Sequence, residues 1–212
     1  MTTALAILAS GSGTNARALL DAADQGALGD AAIAVVVSDR RDCGALAAAA
    51  AHGIQTLLVD PAATPGRQAY SAALLAELQG RGVDLVCLAG FMRVLSAGFI
   101  AAFPGRVLNI HPALLPAFPG AHAVADALAW GVKVTGTTVH FADEAVDHGP
   151  IIAQEAVPVR EGDDEASLHE RIKAVEHRLY PEVVRLVVEG RTRIAGRRVL
   201  IDGVPAGLWG AA

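Results

Sequence analysis

The sequence has little of several features that would direct a protein to a particular partner. Only two cysteines occur in 212 residues, Cys43 and Cys87, and they lack the C-x-x-C spacing of redox or zinc motifs. Seventeen basic residues stand against 22 acidic ones, so an electrostatic grip on a nucleic-acid backbone has no support. We therefore expect buried free thiols in a reducing compartment, a small-molecule partner and no nucleic-acid partner.

Long apolar runs are also missing. Gly, Asp, Arg or Pro interrupts every apolar stretch well before the ~20 residues that a bilayer span requires. The apolar N-terminus, residues 1–10, is preceded by no Lys or Arg, which argues against a signal peptide. The sequence predicts a soluble, cytoplasmic protein without a membrane partner.

Short apolar, branched runs alternate with alanine-rich segments along the first half of the chain. Strands are predicted at Leu5–Ala9, Ile33–Val37, Thr56–Val59, Val83–Leu88 and Val107–Ile110, and helices at Asn15–Ala23, Gly44–Ala51, Arg67–Gln79 and Ala97–Ala102. Strands that are apolar on both faces and joined by helices form a parallel sheet. The length fits one domain, 1–212, and the predicted fold class is α/β, a doubly wound, mostly parallel sheet.

The second half of the chain has a different texture. Residues 111–120 hold three prolines, so an extended, fixed loop is predicted there. The elements expected after it are a helix at His122–Trp130, strands at Lys133–Phe141 and Ile151–Val159 around an acidic loop, a long helix at Glu165–Val188 and a hairpin at Arg191–Asp202. These strands predict an antiparallel C-terminal extension of the sheet.

A glycine-rich turn, residues 10–16, follows the first predicted strand and leads into the first helix. Such a turn lets the backbone approach a ligand, and the helix N-terminus favours an anion. Its G-x-G-x-x-A pattern fits a dinucleotide fingerprint, with Asp39 near the end of the second strand. Alternatively, Ser12, Thr14 and Asn15 make the turn a cradle for a phosphate monoester. A tight turn without a ligand is the third interpretation.

Asn109 and His111 stand at the end of the last parallel strand, where open α/β sheets place their ligand crevice. Side chains two apart in an extended segment point to the same side. An Asn amide can donate to an oxyanion, and a His can move a proton or, as imidazolium, stabilise negative charge. A carboxylate of the loop 142–150 can orient His111. The pair suits addition of a nucleophile to a carbonyl. The same sequence pattern also fits a histidine with a purely structural hydrogen bond and an acidic loop that is simply solvated.

The spacing of the histidines does not predict a metal centre. The second half of the chain contains no H-x-x-x-H or Cys/His spacing of the kind that binds zinc.

Four ordered blocks of the sequence are specific enough to suggest a family. They are residues 10–15 (SGSGTN), 88–95 (LAGFMRVL), 109–116 (NIHPALLP) and 136–150, from GTTVHF to the D-x-G-P pattern. Together they resemble the glycinamide ribonucleotide formyltransferases over nearly the whole chain. The resemblance implies a Rossmann-like formyltransferase fold. It also implies transfer of a formyl group from 10-formyltetrahydrofolate, as cosubstrate, to the amine of 5'-phosphoribosylglycinamide in purine biosynthesis.

The resemblance also implies roles for residues at matching positions. Asn109 and protonated His111 would stabilise the oxyanion, and Asp147 would hold His111 and help relay a proton. The implied ribonucleotide contacts are Gly11, Ser12, Gly13, Thr14, Asn15 and Glu176. The implied folate contacts are Arg67, Met92, Arg93, Val94, Leu95 and Asn109. Residues 1–110 would then be a phosphate-binding half, and 111–212 a half with the catalytic loop, the C-terminal strands and the long helix.

Some alternatives remain open at the level of sequence. Sugar and tRNA formyltransferases and formyltetrahydrofolate hydrolases share the Asn-x-His-Pro and Asp signals, but the tRNA enzymes and the hydrolase carry an extra domain for which we expect no room. A dinucleotide-binding oxidoreductase or nucleotide sensor is supported only by the glycine pattern and Asp39. Ala117 and Val124 depart from the family, which often has a basic residue and a second His there. Monomer and homodimer are both compatible with the sequence, and motion of the loop 142–149 is open.

Overall fold

The computed structural model describes residues 2–203, and residues 1 and 204–212 lie outside this range. The predicted single domain, 1–212, extends beyond it and stays a prediction. The strands are β1 Thr3–Ala9, β2 Ala31–Ser38, β3 Thr56–Leu58, β4 Leu85–Leu88, β5 Val107–His111, β6 Val134–Phe141, β7 Ile151–Pro158, β8 Thr192–Ala195 and β9 Arg198–Ile201. The helices are α1 Thr14–Asp24, α2 Gly44–Ala51, α3 Arg67–Gly80, α4 Ala97–Ala102, α5 Ala123–Trp130 and α6 Glu165–Val188.

Within the described residues, the strands form one sheet in the order β3-β2-β1-β4-β5-β6-β7-β9-β8. The strands from β3 to β5 are parallel, whereas β6 is antiparallel to both β5 and β7. The hairpin of β8 and β9 joins β7 through a parallel pair, Ile151 with Arg198. The predicted fold class is therefore confirmed. The predicted elements are confirmed as well, with small shifts at their ends; β4, for example, begins at Leu85 rather than Val83.

Alternate residues of the central strands feed two layers of core. Leu5 and Ile7 of β1 pack with residues of α1, α2 and α6, while Ala6 and Leu8 pack with α3 and α4 on the opposite face. This period of two is what a sheet covered by helices on both faces requires. The covered faces leave the carboxyl-end edge of the parallel strands as the place for a site.

The strand order reverses beside β1, which lies between β2 and β4. In open α/β sheets a reversal of this kind creates a crevice between the loops that follow the strands. Helix α6 is fastened to this region by Tyr180, whose hydroxyl donates to the Leu88 carbonyl at 3.0 Å and lies 3.3 Å from the Leu108 carbonyl. One helix thus holds the ends of β4 and β5 together.

Two expectations that came from missing features can be compared with the structure. Cys43 and Cys87 are free and buried, and burial raises the pKa of the Cys87 thiol to about 12. From residue 2 to residue 203, none of the helices combines the length and the apolar character needed to traverse a bilayer. The reducing compartment and the cytoplasmic location stay predictions.

Candidate active site

A cleft of about 420 Å³ opens at the carboxyl-end edge of the parallel strands. Its walls come from the end of β5, the loop 90–95 after β4, the loop 142–147 after β6, and Asn15 and Glu176 on α1 and α6. This volume falls within the range of small-molecule sites. The cleft lies where the sequence predicted a ligand crevice.

The structure brings the three predicted catalytic residues together in this cleft. Asn109 and His111 point from β5 to the same side, and Asp147 reaches them from the loop 142–150. His111 Nδ1 lies 3.4 Å from Asp147 Oδ2, and Asn109 Nδ2 donates to Asp147 Oδ1 at 3.2 Å. The N–H of Gly120 donates to Asp147 Oδ2 at 2.8 Å. The proximity is therefore observed, while the roles in catalysis stay predictions.

The His111 ring faces an oxygen acceptor at each nitrogen. Nε2 lies 2.8 Å from the Phe118 carbonyl oxygen, and Nδ1 faces Asp147. Burial lowers the pKa of His111, and the Asp147 carboxylate and the Phe118 carbonyl oppose this shift. Because both partners can only accept, the ring can take a second proton in place when negative charge develops nearby.

Asp147 is ionised more readily than an ordinary aspartate. Burial would raise its pKa, but the neighbouring His140, the N–H of Gly120 and the His111 ring together hold the pKa below its usual value. The backbone of Asp147 is left-handed, with φ of 53°, which is uncommon for a residue other than glycine. The loop thus presents a charged carboxylate from an unfavourable backbone conformation.

His140 is a site residue to which the sequence analysis assigned no role. Its Nδ1 lies 3.0 Å from the Phe141 carbonyl and must donate there, so its Nε2 accepts from Asn109 Nδ2 at 3.1 Å. The same Nε2 lies 3.7 Å from Asp147 Oδ1, which is too long for a hydrogen bond. His140 pairs with Asn109 across β5 and β6, a register that the sequence pattern does not reveal.

Glu176 is buried on α6 and contacts the glycine-rich turn. Its Oε2 accepts from Asn15 Nδ2 at 2.8 Å, and Thr137 Oγ1 donates to Oε1 at 3.4 Å. Burial raises the pKa of Glu176, although the hydrogen bonds from Asn15 and Thr137 oppose the shift. Two residues of the predicted ribonucleotide set, Asn15 and Glu176, are therefore directly bonded in the cleft.

The burial of Glu176 predicts a pH dependence of stability that Glu176→Gln removes. A folded-state pKa above the unfolded value means that the folded protein binds more protons, so stability falls as pH rises between these two values and stays lower above them. Glutamine keeps the hydrogen-bonding shape without the buried charge, so urea unfolding at pH 8 should show equal or greater stability in the variant. A clear loss of stability at pH 8, with none at pH 5, would contradict this reading of Glu176.

The remainder of the glycine-rich turn lies beside the cleft. Gly11 and Ser12 are exposed, and Gly13 precedes α1 with φ of 78°. A Cβ at Gly13 would come within 2.5 Å of the Ala45 nitrogen, so this turn accepts no side chain there. Asn15 is the member of the turn that lines the cleft, and binding by residues 11–14 stays a prediction.

The predicted folate contacts at 92–95 form the opposite wall of the cleft. The segment is fixed at both ends: the N–H of Met92 donates to Ser10 Oγ at 3.0 Å, and Arg67 Nε donates to the Leu95 carbonyl at 3.0 Å. Arg67 therefore supports the backbone of the segment 92–95 and is not among the residues that line the cleft. Direct contact of Arg67 with a folate stays a prediction.

Asp39 was the acidic residue of the dinucleotide interpretation. Its carboxylate is nearly buried and accepts from Arg93 Nε at 2.9 Å, and the Arg93 guanidinium lies 4.9 Å from the centre of the Tyr70 ring. The group that a dinucleotide site needs for a ribose hydroxyl is engaged by an arginine. The low exposure of Asp39 and its ion pair with Arg93 argue against the dinucleotide interpretation.

The two departures from the family pattern have different surroundings. Val124 is buried in a small apolar cluster with Val157, Leu168 and Ile172, where α5 meets α6, so this position serves packing. Ala117 is exposed in the proline-rich loop. In the described part of the chain, no group of three His, Cys, Asp or Glu residues is placed to share a metal ion. A metal-free site stays a prediction.

Comparisons with known proteins agree with one another. The model of a family described as formyl transferase matches residues 3–184. A phosphoribosylglycinamide formyltransferase of Mycobacterium tuberculosis is 50% identical over 204 residues, 93% of each chain. The crystal structure of glycinamide ribonucleotide transformylase 1 from Symbiobacterium toebii has a TM-score of 0.92 at 54% identity over 94% of each chain. A formyltetrahydrofolate deformylase from Pseudomonas syringae has a TM-score of 0.87 at 26% identity, over 95% of this chain and 66% of that one.

Proposed function

We propose that this chain, which belongs to the formyl transferase family, transfers a formyl group from 10-formyltetrahydrofolate to the amine of 5'-phosphoribosylglycinamide in purine biosynthesis. The observation that carries the proposal is the trio of Asn109, His111 and Asp147 in one partly buried cluster at the cleft. The relatives at 50% and 54% identity carry the names of this activity.

The two ends of the cleft suit two different substrates. The turn 11–15 and the N-terminus of α1 offer N–H groups to the phosphate of a ribonucleotide. Glu176 lies beside this turn, and its raised pKa limits the repulsion between its carboxyl group and a phosphate. The wall 92–95 faces the loop 142–146 and offers an apolar slot to the pterin ring of a folate. Holding two substrates in line can lower a barrier by about 7–11 kcal/mol.

The trio supplies the charge stabilisation and the proton path. Attack of the amine on the formyl carbon forms a C–N bond and leaves an oxyanion, to which the Asn109 amide donates by turning one of its two N–H groups away from Asp147 or His140. The negative oxyanion raises the pKa of His111, so the ring becomes an imidazolium held by Asp147. The bond from the formyl carbon to the folate nitrogen then breaks. The proton lost by the amine reaches that nitrogen through His111 and Asp147, without a covalent enzyme intermediate.

The mechanism needs a hydrogen-bond donor at His111, but in the structure the His111 N–H is already bound to the Phe118 carbonyl. His111 Nε2 donates to Phe118 at 2.8 Å. We propose that this N–H turns to the oxyanion when substrates bind, because catalytic hydrogen bonds often reach their final geometry only in the complex. As the sequence predicts, we also propose a single-domain, metal-free, cytoplasmic enzyme that is a monomer or a homodimer.

A spectrophotometric assay of folate release tests the proposed function. The purified protein is given 10-formyltetrahydrofolate with and without 5'-phosphoribosylglycinamide, and His111→Ala is compared with His52→Ala, which lies outside the cleft. We expect release that requires the ribonucleotide and that falls by about 10²-fold or more in His111→Ala only. Release without ribonucleotide would identify a hydrolase instead, and full activity of His111→Ala would overturn the proposed role of His111.

A further inference from the structure

The loop that carries Asp147, residues 142–150, is held from three sides. At its base, the Phe141 N–H donates to the Pro150 carbonyl at 2.9 Å. On the cleft side, Gly120 and Asn109 bind the Asp147 carboxylate. The third contact comes from the C-terminal hairpin, 49 positions away in sequence: Arg197 Nη2 donates to the His148 carbonyl at 2.7 Å.

The position of Arg197 follows from the docking of the hairpin. Strand β9 pairs with β7 at Arg198 and Ile151, so the preceding turn of the hairpin lies against the end of the loop. Arg197 Nη1 is 3.4 Å from His148 Nε2, and His148 Nδ1 lies 2.9 Å from Asp143 Oδ2. Both the carbonyl and the ring of His148 are therefore bound.

Asp147, the residue directly before His148, has a backbone conformation that needs support from its surroundings. Asp147 has a left-handed backbone, which is unfavourable for a residue with a Cβ atom. Rotation of its backbone would carry the following peptides with it, including the carbonyl that Arg197 holds. A contact on His148 therefore opposes the relaxation that would draw the Asp147 carboxylate away from His111.

We infer that Arg197 is a positioning residue that keeps Asp147 in register with His111, an inference that rests on the proposed catalytic role of Asp147. Without Arg197, the loop exchanges among more conformations, and the fraction with Asp147 facing His111 falls. The ribonucleotide site at Asn15 and Glu176 lies on α1 and α6, so its affinity does not depend on this contact.

The test compares Arg197→Ala, Arg197→Lys and Arg198→Ala with the unmodified full-length protein. Among the described residues, the Arg198 side chain makes no hydrogen bond or ion pair. Arg198→Ala is therefore the control, because it removes the same charge from the same hairpin and leaves the contact of Arg197 with His148 in place. We expect Arg197→Ala to lower kcat by about 10-fold with KM for the ribonucleotide unchanged. Arg197→Lys should recover part of the loss because it can still donate to the carbonyl, and Arg198→Ala should match the unmodified protein.

Hydrogen exchange of the backbone amides in residues 143–148 provides a readout that needs no activity. We expect faster exchange there in Arg197→Ala and not in Arg198→Ala. Unchanged exchange and unchanged kcat in Arg197→Ala, or equal losses in both variants, would overturn the inference. If Asp147→Asn were fully active, the proposed function of Asp147 would fail instead, and the exchange data would still decide whether Arg197 holds the loop.

Discussion

Replacing Asp147 with asparagine should lower kcat for formyl transfer by about 10³-fold while the affinity for the ribonucleotide changes little. Asparagine keeps the size of the side chain, and its oxygen can still accept from the Gly120 N–H. It carries no charge, however, so it cannot stabilise an imidazolium at His111. The Asp147 charge opposes the lowering of the His111 pKa by burial, and its loss lets that pKa fall further.

The sign of this effect can be measured in the pH profile. Because the pKa of His111 is lower in this variant, the ring loses its proton at a lower pH. As the pH is raised, the remaining activity of Asp147→Asn should therefore begin to fall at a lower pH than the activity of the unmodified enzyme. Calorimetry gives the ribonucleotide affinity in the same buffers. Glu161→Gln, which neutralises an exposed carboxylate outside the cleft, is the control and should keep kcat within about threefold. An Asp147→Asn enzyme with similar kcat would remove Asp147 from the mechanism.

A single methyl group at Gly149 should be the most damaging small substitution in this loop. A Cβ at Gly149 would lie 1.7 Å from the Phe141 carbonyl oxygen and 3.2 Å from the Asp143 nitrogen. Both neighbours are backbone atoms, so the loop itself must move. We expect Gly149→Ala to lose about 3 kcal/mol of stability or more. Because Asp147 lies two residues earlier, kcat should fall by about 100-fold or more.

Gly80→Ala is the matched control for this experiment. Gly80 is the last residue of α3, and a Cβ there meets no atom within 4 Å. Urea unfolding should show a change within about 1 kcal/mol for Gly80→Ala, in the stabilising direction if the helix end tolerates alanine. Gly149→Ala with the stability and turnover of the unmodified protein would mean that the close approach to Phe141 is not a constraint in solution.

The fold and the pair of Asn109 and His111 could be predicted because local signals agreed with the global arrangement, whereas Asp147 was distinguished from the other carboxylates of its loop only by the family resemblance. The strand 107–111 shows this most clearly. Its apolar residues indicated burial, its position before a proline-rich loop marked the strand end, and the spacing of Asn109 and His111 placed both side chains on one side. The structure has both residues in the cleft. Each of these inferences depends only on neighbours in sequence.

Partners that lie on different elements could not be predicted in this way. Glu176 reads equally well as an exposed helical glutamate, and only the rotation of α6 against α1 buries it beside Asn15. The pairing of Asn109 with His140 depends on the register of β5 against β6. The contact of Arg67 with Leu95 depends on where α3 begins relative to the loop after β4. Register and helix rotation are set by packing over the entire core.

The hydroxyl of Tyr180 links α6 to the ends of β4 and β5, the two strands that lead into the cleft. It contacts the carbonyls of Leu88, the last residue of β4, and of Leu108, directly before Asn109 on β5, and it stands one helical turn after Glu176. Local opening of α6 would therefore remove the Tyr180 contacts to both strand ends and the contact of Glu176 with Asn15 in one event. We therefore expect hydrogen exchange at the ends of β4 and β5 to rise together with exchange in α6 around Glu176 when this helix opens.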